Sequence, residues 1–230
     1  MNRWLMTPAV ILAACVMLVT AAAAQPAGPL VPALTPDQVK ASEALAATHD
    51  RSAAREKVRL ETFKNRPLAS VIQKAFDVNA NYLMMAARMM PEPAYGFRPT
   101  PDVRSFGEQI NHATAAQYSF CNQAGMPPGV ERRTPPALRQ VTAKADIVKA
   151  LDDSVAYCDR VLAAASEAWL MEVAPRLGGT SSGLIEGIRA HAFMYNNVHD
   201  AEDYGTITVY MRLQGMVPPS SALHPAAPPK

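Results

Sequence analysis

Apolar residues recur every three or four positions over residues 68–90, and no other pattern in the sequence limits the fold as strongly. The stripe consists of Leu68, Ile72, Phe76, Ala80, Leu83, Ala87 and Met90. Side chains at this spacing lie on one face of an α-helix, so the segment is predicted to be a helix with one buried face. A second stripe, within a helix predicted over residues 144–173, consists of Ile147, Leu151, Val155, Cys158 and Leu162.

Capping and helix-breaking residues mark two further core helices. Ser105 and Glu108 have the spacing of a capping box, which predicts a helix over residues 105–123. The last core helix is predicted to begin near Ser181 or Ser182 and to run to Gln214. Gly215 follows it, at the position where a left-handed glycine commonly ends a helix.

Four long amphipathic helices joined by loops predict an all-α fold, a four-helix bundle over residues 67–217. No segment of useful length alternates with the period of two that a half-buried strand requires. Residues 25–66 are interpreted as a proline-rich linker and an extra N-terminal helix, which begins at Thr35-Pro36-Asp37-Gln38. The proline- and alanine-rich tail, 218–230, is predicted to be disordered.

Residues 1–24 have the organisation of a secretion signal. Arg3 supplies the positive charge, residues 4–20 are uncharged and largely apolar, and Ala22-Ala23-Ala24 is a small-residue cleavage site. We therefore expect a periplasmic or secreted protein with no membrane span after cleavage. Two alternatives remain: an uncleaved anchor, and a lipoprotein attached through Cys15, which ends a Leu-Ala-Ala-Cys sequence.

Cys121 and Cys158 are the cysteines that remain after the signal. A disulfide requires Cα atoms within about 7 Å. If consecutive core helices run antiparallel, Cys121 near the end of one and Cys158 well inside the next lie at different heights. The sequence therefore predicts two buried free thiols.

Composition excludes some partners. The net charge is +2 and the lysines and arginines are scattered, so no basic block indicates nucleic-acid binding. A small-molecule ligand is compatible with the bundle, and a homodimer is expected by analogy with other helical bundles.

Candidate metal ligands are found on two of the predicted helices. His199 and Asp203 are four residues apart and so project from the same helical face, and His112 lies on the helix over 105–123. Imidazole and carboxylate groups converging from two helices suit a divalent metal with open coordination positions. The alternative is an ordinary helical His–Asp ion pair.

Other metal and phosphate sites lack their signatures. A di-iron carboxylate bundle requires Glu-x-x-His, which the sequence does not contain. The glycines at 178–183 lack the Gly-Lys-Ser/Thr of a phosphate-binding loop. The pairs Met84-Met85 and Met89-Met90 could be copper ligands, but at helical spacing they are interpreted as ordinary core or interface residues.

Two stretches resemble the DinB/YfiT-like family of four-helix-bundle metalloproteins, and most closely its exported members. One is MPEPAYGFRPTPDVRSFGEQINH, residues 90–112. The other is HDAEDYG, residues 199–205, followed by VYMRLQGMVPP, residues 209–219. The resemblance extends over about residues 68–221.

The resemblance implies a metal held by one histidine of the second helix and two histidines four apart on the last. The first two positions fall on His112 and His199, and the third falls on Asp203. Two histidines and a carboxylate are the ligands of non-haem Fe(II) sites, so the expected cofactor is a divalent metal: zinc, iron or nickel. Four residues are predicted to orient these ligands: Glu108, Tyr195, Asn196 and Glu202.

The sequence thus predicts an exported divalent-metal-binding protein without assigning its reaction. One alternative is a metal-dependent enzyme of the transferase or hydrolase type, which the resemblance implies. The other is a non-catalytic bundle whose metal site has degraded at Asp203.

Overall fold

Helices make up most of the residues that the computed structural model describes, which are 34–47, 52–174 and 187–223. In chain order the α-helices are α1 (Pro36–Ala47), α2 (Ser52–Thr62), α3 (Pro67–Met89), α4 (Phe106–Gln123), α5 (Lys144–Ala164), α6 (Glu167–Met171), α7 (Arg189–Leu213) and α8 (Pro219–Leu223). The predicted all-α class is confirmed, since the described residues form no strand.

Helices α3, α4, α5 and α7 form a four-helix bundle. Helix α4 packs against α5 and α7, and α3 packs against the same two helices from the other side. Helices α1 and α2 both pack against α3. The helical segment predicted after the linker thus contains α1 and α2, which both lie against the outside of the bundle.

The predicted apolar stripes form the bundle core. Leu68 is partly buried, and the other six residues of the α3 stripe are buried. All five residues of the α5 stripe are buried as well, and the four methionines at 84, 85, 89 and 90 belong to the same core. Burying these stripes supplies the main stabilising force of the bundle, at about 25 cal/mol for each Å² of apolar surface removed from water.

The prediction of free thiols was wrong, because Cys121 and Cys158 form a disulfide with Cα atoms 5.7 Å apart. Helices α4 and α5 run parallel rather than antiparallel. One turn before the disulfide, Ser154 of α5 donates a hydrogen bond of 2.6 Å to Gln117 of α4. From this contact to the disulfide, the residue number rises by four on each helix, so the two helices run in the same direction. The connection over residues 124–143 is long enough to return the chain to the start of α4, which brings the two cysteines level.

Several helix ends differ from the prediction. The third core helix ends at Ala164 and not near Val173, and Ser166 then caps the short helix α6 by accepting a hydrogen bond from Trp169 N–H. Helix α7 begins at Arg189; the start predicted at residues 181–182 lies outside the described residues. The capping box at Ser105 and Glu108 is confirmed.

The segment predicted to be a disordered tail contains helix α8. Tyr204 of α7 fixes it, because the tyrosine hydroxyl donates to Ser220 Oγ and accepts from Ser220 N–H, both at 2.9 Å. Residues 224–230 lie outside the described residues, as do residues 1–24 and Cys15 within them. Within the described ranges no helix combines the length and apolarity needed to cross a bilayer.

Candidate metal centre

The structure brings the three predicted ligands together. His112 comes from α4, and His199 and Asp203 come from successive turns of α7. His199 Nε2 lies 3.6 Å from Asp203 Oδ2, and His112 Nε2 lies 4.0 Å from Asp203 Oδ1. The two imidazole rings meet edge to face with centroids 5.1 Å apart. One ligand atom from each residue lies within 4.8 Å of the other two.

An antiparallel crossing of α4 and α7 produces this convergence. Gln109, early in α4, hydrogen-bonds to Asp203, whereas Phe120, late in α4, lies against Tyr195, with ring centroids 5.4 Å apart. His112 of α4 therefore lies at the height of residues 199–203 of α7. The i,i+4 spacing of His199 and Asp203 then turns both side chains towards it.

Two atoms of the triad are buried without a hydrogen-bond partner among the described residues: His199 Nε2 and Asp203 Oδ2. Buried polar groups are nearly always paired, and leaving one unpaired costs about 1–3 kcal/mol. Ligand atoms around a tetrahedral metal with bonds of about 2.1 Å lie roughly 3.4 Å apart. The separation of 3.6 Å between these two atoms is close to that spacing. The residues present therefore fit a divalent metal.

Burial sets the protonation of the ligands. Desolvation, assisted by the positive charge of Arg104 and by His199, lowers the pKa of His112 to about 4, although Glu202 opposes the shift. Desolvation likewise lowers the pKa of His199. Both imidazoles are thus neutral at physiological pH, which is the form that binds metals. Desolvation raises the pKa of Asp203 to about 7, against the opposing effect of Arg104.

Gln109 contacts the candidate site and was not among the residues predicted from the sequence. It is buried, and its amide donates a 2.7 Å hydrogen bond to Asp203 Oδ1. This bond fixes the carboxylate and leaves Oδ2 directed at His199. A signal was present, because Gln109 precedes His112 by three residues and so lies on the same face of the helix.

In the part of the chain that the structure describes, the side chains of the four residues predicted to orient the ligands form no hydrogen bond with the ligand side chains. Glu108 caps α4, accepting from Ser105 N–H at 2.7 Å, and pairs with Arg98 at 2.7 Å. Asn196 donates to Asp200, and Glu202 is exposed. Tyr195 lies against Phe120, whose ring also contacts His199, with centroids 5.6 Å apart. Whether these residues act on a bound metal stays a prediction.

Asp200 adds a second buried carboxyl group beside the triad. It is fully buried and accepts hydrogen bonds from Gln117 of α4 and from Asn196. Burial raises its pKa well above the ordinary value, and the nearby Asp203 acts in the same direction. Because Ser154 of α5 donates to Gln117, this network connects three helices of the bundle beside the candidate ligands.

The fold is thus a helical bundle in which His112, His199 and Asp203, from two antiparallel helices, form a group that could hold a metal ion. A family model described as the DinB superfamily matches residues 75–207, more than half of the chain. The protein therefore belongs to the DinB superfamily, as the resemblance implied. No curated protein sequence matches it significantly.

Proposed function

We propose that this protein is exported and binds one divalent transition metal through His112, His199 and Asp203. The observation that carries the proposal is the pair of buried, unpartnered atoms, His199 Nε2 and Asp203 Oδ2, 3.6 Å apart. A metal ion between them gives both atoms a partner. It also offsets the unfavourable burial of an ionised Asp203.

The ligand chemistry favours zinc, iron(II) or nickel. Imidazole suits all three metals, and two histidines with one carboxylate leave open positions of the kind found in non-haem iron sites. A bound divalent metal would supply a Lewis acid at this point. The side chain of His112 is 32% exposed, compared with 5% for Asp203. The open positions therefore face solvent on the α4 side, where a substrate or ligand would approach.

Export rests on two independent features. Residues 1–24 have the charge and apolar pattern of a secretion signal. The Cys121–Cys158 disulfide supports the same conclusion, because disulfides persist in oxidising compartments and are rare in the cytosol of mesophiles. DNA and cytosolic thiols are consequently poor candidates for what this protein acts on.

The proposal is tested by elemental analysis of the purified chain, beginning at Gln25, after equilibration with zinc, iron(II) or nickel and removal of free metal. We expect one metal per wild-type chain and almost none in His199→Ala. His191→Ala is the matched control: it removes a histidine of the same helix two turns earlier, outside the triad. Wild-type protein without metal after reconstitution, or equal losses in the two variants, would contradict the proposal.

Gln109→Leu is expected to weaken metal binding by about 10- to 100-fold, as is typical when a residue that orients a ligand is lost. The substitution removes the donor to Asp203 Oδ1 and frees the carboxylate to rotate away from His199. The affinity is measured by competition with a chromophoric chelator. Ser119→Ala, an exposed change on the same helix, should leave the affinity unchanged. An unaltered affinity in Gln109→Leu would show that Asp203 needs no support from α4.

A further inference from the structure

A cleft of about 560 Å³ opens beside the metal ligands. Its walls include Arg104, Asn111 and His112 of the α4 region, together with Leu138 and Arg139 of the 3₁₀ turn Leu138–Gln140. This volume is within the usual range for a small-molecule site, about 300–1,000 Å³. His112 belongs both to the triad and to the wall of the cleft, so a molecule bound here would lie next to the metal.

Positive charge dominates the wall. Arg104 and Arg139 are exposed, and in the part of the chain that the structure describes neither guanidinium forms a hydrogen bond or an ion pair. Glu108 is the carboxylate of the lining, and the guanidinium of Arg98 is 2.7 Å from it. Two arginines without a direct carboxylate partner therefore line the cleft. Guanidinium groups recognise carboxylates through paired, directional hydrogen bonds.

Arg104 and His112 share the wall of this cleft. A molecule that binds Arg104 therefore lies beside a histidine of the triad. Glu202, whose charge opposes that of Arg104 at His112, is exposed on α7 and does not line the cleft.

Asn111 fixes one wall of the cleft. Its amide nitrogen donates to the carbonyl oxygens of Leu138 at 3.0 Å and Val141 at 2.8 Å, which attaches the 138–141 segment to α4. Its Oδ1 atom is buried and accepts no hydrogen bond from the described residues. The side chain as a whole is only 7% exposed. The two arginines therefore come from segments that are fixed to each other, Arg104 from just before α4 and Arg139 from the attached 138–141 segment.

We infer that this cleft binds a small organic anion bearing at least one carboxylate. Arg104 and Arg139 bind the anionic group, Leu138 and Val141 contact its apolar part, and the remainder lies at His112. The inference deepens the proposed function and rests on it for the role of the cleft as the substrate site. The anion-binding step itself depends on the two arginines and not on the metal.

The experiment uses succinate as the probe and succinamide, its uncharged counterpart, as the ligand control. Dissociation constants are measured by NMR titration of the chain beginning at Gln25, once after chelation and once after zinc loading. We expect succinate to bind both forms and succinamide to bind neither. Arg104→Gln and Arg139→Gln should each weaken succinate binding about tenfold, the loss expected for one charge-assisted contact. Lys57→Gln removes the same charge from α2, which does not line the cleft, and should have no effect.

The outcomes separate this inference from the metal proposal. Arginine-dependent succinate binding to the metal-free protein supports the anion site even if no variant or condition retains metal. Binding that is unchanged in both arginine variants overturns the anion site, whether or not zinc is retained. Equal losses in Arg104→Gln, Arg139→Gln and Lys57→Gln would also overturn it, because they would show attraction to overall charge and not to the cleft.

Discussion

Asp203→Ala is expected to weaken metal binding more than about a hundredfold, beyond the usual effect of losing a residue that only orients a ligand. The substitution removes the carboxylate whose Oδ2 lies 3.6 Å from His199 Nε2, and two histidines alone hold a divalent metal weakly. The affinity is measured by chelator competition with zinc. Asp153→Ala, which removes an exposed carboxylate of α5, is the control and should bind as the wild type does.

Asp203→His sharpens the same prediction, because it creates the three-histidine set that the family resemblance implies. We expect Asp203→His to bind zinc much more tightly than Asp203→Ala. Its ligand set would be neutral, whereas that of the wild type carries one negative charge. If Asp203→His and Asp203→Ala both bind zinc as tightly as the wild type does, residue 203 is not a ligand position. Circular dichroism of both variants, compared with that of the wild type, ensures that a loss of metal is not a loss of fold.

The secondary structure was largely predictable because its causes are local. The α3 stripe from Ile72 to Met90 requires only that residues three and four apart share a face, and those residues are buried as expected. The capping box at Ser105 is equally local. Helix α6 was missed because a single serine, Ser166, restarts the helix after Ala164.

The order and direction of the helices were not predictable in the same way. Whether α5 runs parallel or antiparallel to α4 depends on the path of residues 124–143, and no short-range pattern encodes that path. The assumption of an antiparallel pair separated Cys121 from Cys158, whereas the parallel arrangement joins them. The wrong helix direction thus led to the wrong prediction that both thiols are free.

The candidate site was predicted in part for the same reason. His199 and Asp203 share a helical face by spacing alone, and the resemblance supplied His112 as their partner. Gln109 and Asp200 acquire their roles only through burial between packed helices. The cleft was beyond prediction, since Arg139 reaches it only because Asn111 attaches residues 138–141 to α4.

Removing the Cys121–Cys158 disulfide is expected to lower the free energy of unfolding by about 3–4 kcal/mol, the value for closing a loop of this length. The cysteines are 37 residues apart, and the bond connects α4 to α5 in the buried core. Domains of this size are stable by only about 5–15 kcal/mol. The loss is therefore a large share of the total. The measurement is urea denaturation of the wild type and of the double variant Cys121→Ala/Cys158→Ala.

Reduction of the wild type separates the bond from the packing of the two side chains. Dithiothreitol should shift the wild-type unfolding midpoint towards that of the double variant and leave the double variant unmoved. Thiol titration of the denatured chain beginning at Gln25 should detect no free thiol before reduction and two afterwards. Two free thiols in protein isolated from an oxidising compartment, with a midpoint insensitive to reductant, would refute the disulfide. The same result would remove the structural support for export, because two buried free thiols are equally compatible with the cytosol.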